Sequence, residues 1–369
     1  MQTLLSHIDD KDLRLIADKI AGNIRITPED GILLYKKADL ALLGLLAGIV
    51  RKRHNGNLAY FNRNFHIEPT NKCIYNCRFC SYHKGAGDPE SWDYSIDQML
   101  DIVKRFDSKE VTEVHIVGGV HPDHDLHYYG TLIKKIKEHR PSLHVKAFSA
   151  IELDYMIKSA GYTIEEGLRI LKENGLDSIP GGGAEIFDEE LRKKICDEKT
   201  SSDLWLKIHE TAHMSGIPSN ATILYGHVET YNHRIGHMER LRKLQDKTGG
   251  FNAFIPLKYK KNNNKMSYIG EVNILEDLRN YAISRVYLDN FPHIKAYWPM
   301  AGRETAQLSL SFGTDDMDGT IDDTTKIYSM AGSKEENPVM TTEEICHLIR
   351  GAGFTPVERD TLYNIIKAW

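Results

Sequence analysis

The sequence predicts an α/β protein built on a TIM-type (β/α)8 barrel, with an N-terminal helical extension over residues 1–60, the barrel over 61–325 and a C-terminal extension over 326–369, packed as one compact unit. Three observations predict it. From Asn64 onward, short β-rich segments alternate with longer amphipathic stretches at intervals of roughly thirty to forty-five residues, the rhythm of repeated βα units. Most of the β-rich segments end in clusters of Gly, Pro, Asn or His, as suits the loops after barrel strands, where such folds build their sites. The chain has 369 residues, 41% of them hydrophobic, enough to bury a large core.

In chain order, the first sixty residues read as helical. Thr27-Pro28 supplies an N-cap and a first-turn proline, and Asp39 caps the apolar run Leu40 to Val50. The strand candidates are Phe65 to Glu68, Glu113 to Val117, His144 to Phe148, Ser178 to Ile179, Asn220 to Leu224, Asn252 to Leu257, His293 to Tyr297 and, with the faintest signal, Met317 to Ile321. Between them lie helical patterns over Ile96 to Phe106, Tyr129 to Glu138, Ile164 to Asn174, Ser202 to Met214, Arg234 to Asp246 and Ile274 to Leu288.

Composition excludes several functions. A formal charge of −5, with Lys and Arg scattered, gives no basic field for nucleic acid and favours a small-molecule partner. The run Leu40 to Val50 is well short of the ~20 residues that span a bilayer, and the N-terminus lacks the pattern of a secretory signal, so no membrane span and a cytoplasmic location are expected. Five cysteines in a chain of this length do not make a disulfide scaffold.

Three of those cysteines cluster as Cys73-Ile-Tyr-Asn-Cys77-Arg-Phe-Cys80, directly after the first barrel strand. Three thiolates can hold three irons of a 4Fe-4S cubane and leave the fourth iron open to a small molecule. A Cys3His zinc site completed by His83 is the competing reading of the same residues. Cys196 and Cys346 stand alone and read as ordinary thiols. The position of the C-x3-C-x2-C motif in the first β-to-α loop, with Phe79 before its last cysteine, resembles the radical S-adenosylmethionine (SAM) enzymes, and this favours the cluster.

That resemblance extends along the barrel. Gly118-Gly119, after the second strand, matches the glycine pair that holds the methionine amino group of SAM, with Val120 replacing the acidic residue usual there. Glu185, in Pro180-Gly-Gly-Gly-Ala-Glu185, is a candidate acceptor for ribose hydroxyls or an amino group; a purely electrostatic role at a helix N-terminus is the alternative. Thr222-Ile-Leu-Tyr-Gly-His-Val-Glu229 resembles the family's G-x-I-x-G-x-x-E wall beside adenine, with Thr222 for the first glycine, Leu224 for isoleucine and a structural Glu229. Asn220, Thr222 and Tyr225 are candidate substrate-lining residues, and Arg285 and Arg303 candidate carboxylate clamps. Among seventeen histidines, His66, His121, His144 and His227 fall at strand ends or in the loops that follow, and none is assigned as a base.

The stretches HIEPTNKC, TEVHIVGGVHP, LHVKAFSAIE, GLDSIPGGGAEIF, IPSNATILYGH, FNAFIPLKY and KAYWPMAGRETAQLSLSFG resemble the aminofutalosine synthases, radical SAM enzymes of the futalosine route to menaquinone, over about residues 20 to 365. The resemblance implies a cluster on Cys73, Cys77 and Cys80, SAM as cosubstrate, the enol ether 3-(1-carboxyvinyloxy)benzoate as substrate, 6-amino-6-deoxyfutalosine as product and a separate one-electron donor. Neighbouring radical SAM enzymes, such as the dehypoxanthine futalosine cyclase or the deazaflavin-forming synthases, would share the cluster and differ in the substrate pocket. A zinc- or cluster-stabilised binding protein without catalysis is the alternative of another class.

Overall fold

The computed structural model describes residues 8–85, 87–321, 325–333 and 338–369. Ten strands are present among them: β1 Leu58–Asn62, β2 Asn64–Ile67, β3 Glu113–Ile116, β4 His144–Ala147, β5 Ser219–Tyr225, β6 Phe251–Lys258, β7 His293–Ile294, β8 Asp316–Gly319, β9 Thr355–Arg359 and β10 Ile365–Ala368. The eight-fold ring forms from parallel pairs. β2 pairs β3 and β3 pairs β4; single bridges Lys146–Ser178 and Ile179–Ser219 carry the sheet through residues 178–179 to β5, which continues through β6 to β7. A Lys295–Asp316 bridge leads to β8, which pairs with β1, and the Thr320 N–H donates to the Asn62 carbonyl at 3.1 Å to close the barrel. All eight predicted strand segments take part, the fourth only through its two bridges.

Strand alternation explains what this barrel encloses. In β2, β3 and β4 one face carries Phe65, Ile67, Val114, Ile116, Val145 and Ala147, all buried in the hydrophobic core between strands and helices. The other face carries His66, His115 and Lys146 in direct register, and these line an internal cavity. Most barrels of this type fill the interior with branched apolar side chains; here the face that β2–β4 turn to the lumen is polar, and a cavity opens at the C-terminal end of the strands.

The predicted helices are all present, bounded by the caps the sequence supplies. Thr27 accepts from the Asp30 N–H while Asp30 bonds back to Thr27, starting helix Pro28–Lys37, and Asp39 accepts from the Leu42 N–H to start Leu40–Asn55. Leu40–Asn55 packs on Ile274–Tyr287, which lies between it and the barrel and is therefore buried on nearly every side. Helices Ala150–Ser159 and Glu189–Cys196 lie outside the predicted set. Both begin in β-to-α loops, at Ser149 and Asp188 caps.

β1, β9 and β10 are also outside the predicted strands. β1 is the lower half of the first barrel strand: one edge bonds β8, the other bonds β9 in parallel, and β10 returns antiparallel to β9. This hairpin seats Thr361 beneath the lumen, where its hydroxyl donates to Glu113 Oε2 at 2.7 Å, while the Arg359 guanidinium pairs with Asp316 at 2.5 Å. The lower end of the barrel is thereby sealed, which leaves one open mouth. No described helix is long and apolar enough to cross a membrane.

Candidate active site at the barrel mouth

Cys73, Cys77 and Cys80 lie in the loop after β2 and all line the cavity at the mouth. The loop is fastened from several sides. The Ile74 N–H donates to the Val120 carbonyl at 2.9 Å, the Arg78 N–H to the Ile195 carbonyl at 2.9 Å and the Lys265 N–H to the Arg78 carbonyl at 2.9 Å. Cys73 Sγ accepts two backbone N–H groups, from Val120 at 3.3 Å and Tyr75 at 3.4 Å, the kind of contact that stabilises a ligating thiolate. Burial pushes the Cys77 thiol up to about 12 and raises Cys73 as well, so loading a metal onto these two must release protons.

The spacing of the donors bears on the choice between a cluster and zinc. Sulfurs on one tetrahedral zinc, with bonds near 2.3 Å, sit about 3.8 Å apart. Among the described residues, one trio of potential ligands has its atoms within 4.8 Å of one another, and it is Asp93 with His121 and His124. No trio drawn from the three cysteines and His83 has all its donor atoms that close together. That trio of one aspartate and two histidines does not make a ready metal site: His121 Nδ1 accepts from the Asp123 N–H at 3.1 Å, which places the proton of the neutral ring on Nε2, facing Asp93 Oδ2 at 3.1 Å.

The other predicted SAM contacts surround the cysteines. Gly118, Gly119, Phe79, Glu185, Thr222 and Leu224 all line the cavity. Both glycines are required by space: a Cβ on Gly118 would sit 2.8 Å from the Thr70 carbonyl oxygen, and one on Gly119 would sit 2.3 Å from that of Lys72. Glu185 has φ +48°, a left-handed conformation uncommon for a non-glycine residue. Its Oε1 accepts from Lys199 Nζ at 2.7 Å, and its backbone carbonyl accepts from the Leu224 N–H at 2.8 Å. The cap of the following helix is Asp188, so Glu185 is turned to the cavity rather than to that helix terminus. Thr222 Oγ1 donates to the Gly181 carbonyl at 2.6 Å. As expected, Glu229 is structural, accepting from the Gly226 and His227 N–H groups and from Arg234.

Of the substrate candidates, Asn220 lines the cavity. Tyr225 does not: its hydroxyl donates to Asp277 at 2.8 Å, and Asp277 in turn holds Lys258, so the ring lies behind the wall. Arg285 is fully buried outside the lumen, paired with Asp315 and donating to the Gly313 carbonyl at 2.9 Å, which excludes it as a carboxylate clamp. Arg303 is also outside the cavity. It donates to the Val339 carbonyl at 2.9 Å and pairs with Glu344. His144 opens β4 and meets Ser178 at 2.8 Å, at the strand's lower end rather than its mouth.

Lys199, Lys146, Lys295, His115 and Asp318 line the cavity without having been singled out from the sequence. Burial opposes the Lys199 ammonium, but Cys77 and Glu185 beside it raise its pKa well above the ordinary lysine value. The lumen pairs Lys146 with Glu113 at 2.5 Å and Lys295 with Asp318 at 2.6 Å.

Residues 67–241 match the Radical SAM superfamily, and residues 248–368 match the CofH/MqnC C-terminal region. Aminodeoxyfutalosine synthase of Thermus thermophilus is 44% identical over 366 residues, spanning 98% of each chain. The chain belongs to the aminodeoxyfutalosine synthase family of radical SAM enzymes. Family membership accords with the three-thiolate mouth, and within the superfamily the chain is also 37% identical to a cyclic dehypoxanthine futalosine synthase of Streptomyces coelicolor, over 96% of this chain and 88% of that one. The fold itself is shared with methylornithine synthase, whose crystal structure superposes with a TM-score of 0.74 at 16% identity, covering 92% of this chain and 97% of that one.

Proposed function

We propose that this chain converts 3-(1-carboxyvinyloxy)benzoate and SAM to 6-amino-6-deoxyfutalosine and methionine, with the adenosyl group added at the enol-ether double bond and, after rearrangement, the carboxylate lost as carbon dioxide in a one-electron oxidation that returns the electron spent on cleaving SAM. The observation that carries this reading is the convergence of Cys73, Cys77, Cys80, Gly118, Gly119 and Glu185 on one cavity in a chain 44% identical to an aminodeoxyfutalosine synthase. When bound, a 4Fe-4S cluster with one iron open to SAM supplies the electron that cleaves SAM to methionine and a 5'-deoxyadenosyl radical.

The protein's own residues bind, orient and exclude. Cys73, Cys77 and Cys80 are the cluster ligands, and the Gly118–Gly119 backbone receives the methionine end of SAM. Phe79, Thr222 and Leu224 flank the nucleoside, and Glu185 accepts from its hydroxyl or amino hydrogens. Lys199 neutralises Glu185 and faces Phe79 with its ammonium 5.2 Å from the ring centre. Asn220 and the Lys146 and Lys295 ammoniums border the space left for a dianionic substrate. Addition requires the reacting carbons to be held about 3 to 3.5 Å apart with water kept out, which a barrel sealed below permits. The reductant is a separate one-electron donor, the location is cytoplasmic, and residues 61–325 act as the catalytic barrel between the two extensions.

The test is anaerobic reconstitution with iron and sulfide, followed by dithionite, SAM and 3-(1-carboxyvinyloxy)benzoate, with products read by mass spectrometry. An adenosyl adduct absent from Cys80→Ala protein is expected. SAM cleavage without adduct would move the assignment to another substrate, such as that of the cyclic dehypoxanthine futalosine synthases. No cleavage by protein with a verified reduced cluster would overturn it.

A further inference from the structure

Glu152 is a buried carboxylate that the reading above does not use. It is 3% exposed and, among the described residues, sits in a capping role without a cation within ion-pair distance. Its two oxygens divide between two segments. Oε2 accepts from the Ser149 N–H at 2.7 Å and from Ser149 Oγ at 2.7 Å, closing the capping box of helix Ala150–Ser159, while Oε1 accepts from the Gly118 N–H at 3.1 Å. Five other helices among those described carry capping boxes, at Thr27, Ser95, Thr163, Thr230 and Thr341. In none of them is the third-position residue buried. An exposed cap needs only water and its own helix; a desolvated carboxylate is expensive and implies a purpose beyond capping.

That purpose follows from what Gly118 leads to. The Gly119 N–H donates to the Thr70 carbonyl at 2.7 Å, the Val120 N–H donates to Cys73 Sγ at 3.3 Å, and the Val120 carbonyl accepts from Ile74. Three consecutive backbone N–H groups therefore join the helix terminus, the strand end before the cysteines and the first cysteine sulfur. Resting on the cluster-and-SAM reading, we propose that Glu152 is a positioning residue that fixes the Gly118–Val120 segment in the register that presents its backbone to the methionine end of SAM and its Val120 N–H to Cys73. Two carboxylate oxygens are needed because two N–H groups from different segments must be accepted at once. A glutamine amide has one oxygen and can serve only one of them.

The closing experiment compares Glu152→Gln with wild type and with Glu166→Gln, the same change at the exposed box of Thr163. Metal-free protein is examined by hydrogen exchange on peptides covering 117–121, and reconstituted protein by SAM binding and by the electron paramagnetic resonance spectrum of the reduced cluster with and without SAM. For Glu152→Gln the expected result is exchange at 118–120 faster by about tenfold or more, SAM binding weaker by at least tenfold, an altered SAM-dependent spectrum, and KM for SAM raised more than kcat is lowered. Glu166→Gln should change none of these. If Glu152→Gln lowers the melting temperature but leaves exchange at 118–120 and SAM binding at wild-type values, Glu152 is only a helix cap and the proposal is overturned. If wild-type protein with its cluster does not bind SAM, the functional reading falls instead, and the exchange data on metal-free protein still judge Glu152.

Discussion

Replacing Gly119 by alanine should disable the cysteine loop from behind. The added methyl carbon would lie 2.3 Å from the Lys72 carbonyl oxygen and 2.9 Å from its carbon, against a tolerable carbon–oxygen contact of about 3.3 Å. One of the two backbones must therefore retreat by roughly 1 Å. Neither is free to do so, because Gly119 is bonded to Thr70 and Val120 to both Cys73 and Ile74. Overpacking of this kind costs about 1–3 kcal/mol, or on the order of 1–4 °C in melting temperature for a chain of this size. The larger effect falls on Cys73, adjacent to Lys72: metal ligands tolerate displacements of only about 0.2 Å. Gly119→Ala should fold, melt a few degrees lower, and retain less than about half of the roughly four irons and four sulfides of a cubane after anaerobic reconstitution and desalting. Iron and sulfide analysis beside calorimetry reads both quantities. A variant that melts as wild type and carries a full, SAM-responsive cluster would show that the two loops yield easily and that the contact does not position Cys73.

Other changes separate site from scaffold. Glu185→Gln removes an acceptor that lines the cavity; with the role proposed for it the loss is about 1.5–3 kcal/mol, so SAM binding should weaken by about 10- to 100-fold in equilibrium dialysis with the cluster retained; unchanged affinity would reassign Glu185 to holding Lys199. Arg285→Ala leaves Asp315 buried without its guanidinium and should cost about 3–5 kcal/mol in denaturant unfolding. Its KM for substrate should not move, and a rise in KM at wild-type stability would restore Arg285 as a carboxylate clamp. Burial raises the Glu152 carboxyl to about 7 in the folded protein, against about 4.5 unfolded, so the folded state binds the extra proton between those values. The stability this group contributes is therefore fully present below about pH 4.5 and is lost as pH rises through about 7, a change on the order of 3 kcal/mol. Glu152→Gln should lack that component, and parallel pH–stability curves for the two proteins would refute the assignment.

The sequence made much of this legible for identifiable physical reasons. The six predicted helices and the two caps at Thr27 and Asp39 carried local signals, hydrogen-bonding side chains beside periodic apolar runs, and local signals survive folding. Residues 178–179 were legible as a strand although they make only two bridges, because the glycine-rich turn after them is a strong punctuation. β1 was hidden by its brevity: Leu58-Ala-Tyr-Phe is a short apolar run set off from helix Leu40–Asn55 by Gly56 and Asn57, and pairing with β8 and β9, far along the chain, makes it a strand. The cysteines announced themselves by their spacing, the glycine pair by its place after the second strand and its resemblance to the radical SAM enzymes, and Glu185 by its place after the fourth strand. Lys199 could not. It approaches Cys77 and Glu185 from beyond helix Glu189–Cys196, and no local pattern encodes that approach. Arg285 misled for the converse reason, since a guanidinium suited to a substrate carboxylate is equally suited to Asp315, and burial alone decides between them.

In β2, β3 and β4 the residues Asn64 and His66, Glu113 and His115, and His144 and Lys146 alternate with the apolar ones, so the polarity is reversed relative to an ordinary barrel, and the reversal has an energetic meaning. Each buried charge costs several kcal/mol in desolvation, and a pair such as Lys146 with Glu113 recovers that only with good geometry, so a filling of Val, Ile and Leu would be the more stable choice. Burial lowers the Lys146 pKa, while Lys146 and Lys295 together hold the Glu113 carboxyl well below its usual range despite desolvation. The Glu113 carboxylate thus remains ionised, with Lys146 held beside it. Thr361, brought in by the C-terminal hairpin, donates to the same Glu113, so the extension both closes the lower end and satisfies the charge nearest to it. A lumen arranged this way gives up packing stability for space and fixed charge, and the same exchange is made at the mouth, where Glu152 is desolvated to hold a glycine. Stability is sacrificed at the two places where a dianionic substrate and a cationic sulfonium cosubstrate would have to be held in fixed register, while the apolar faces that join strands to helices remain conventionally packed.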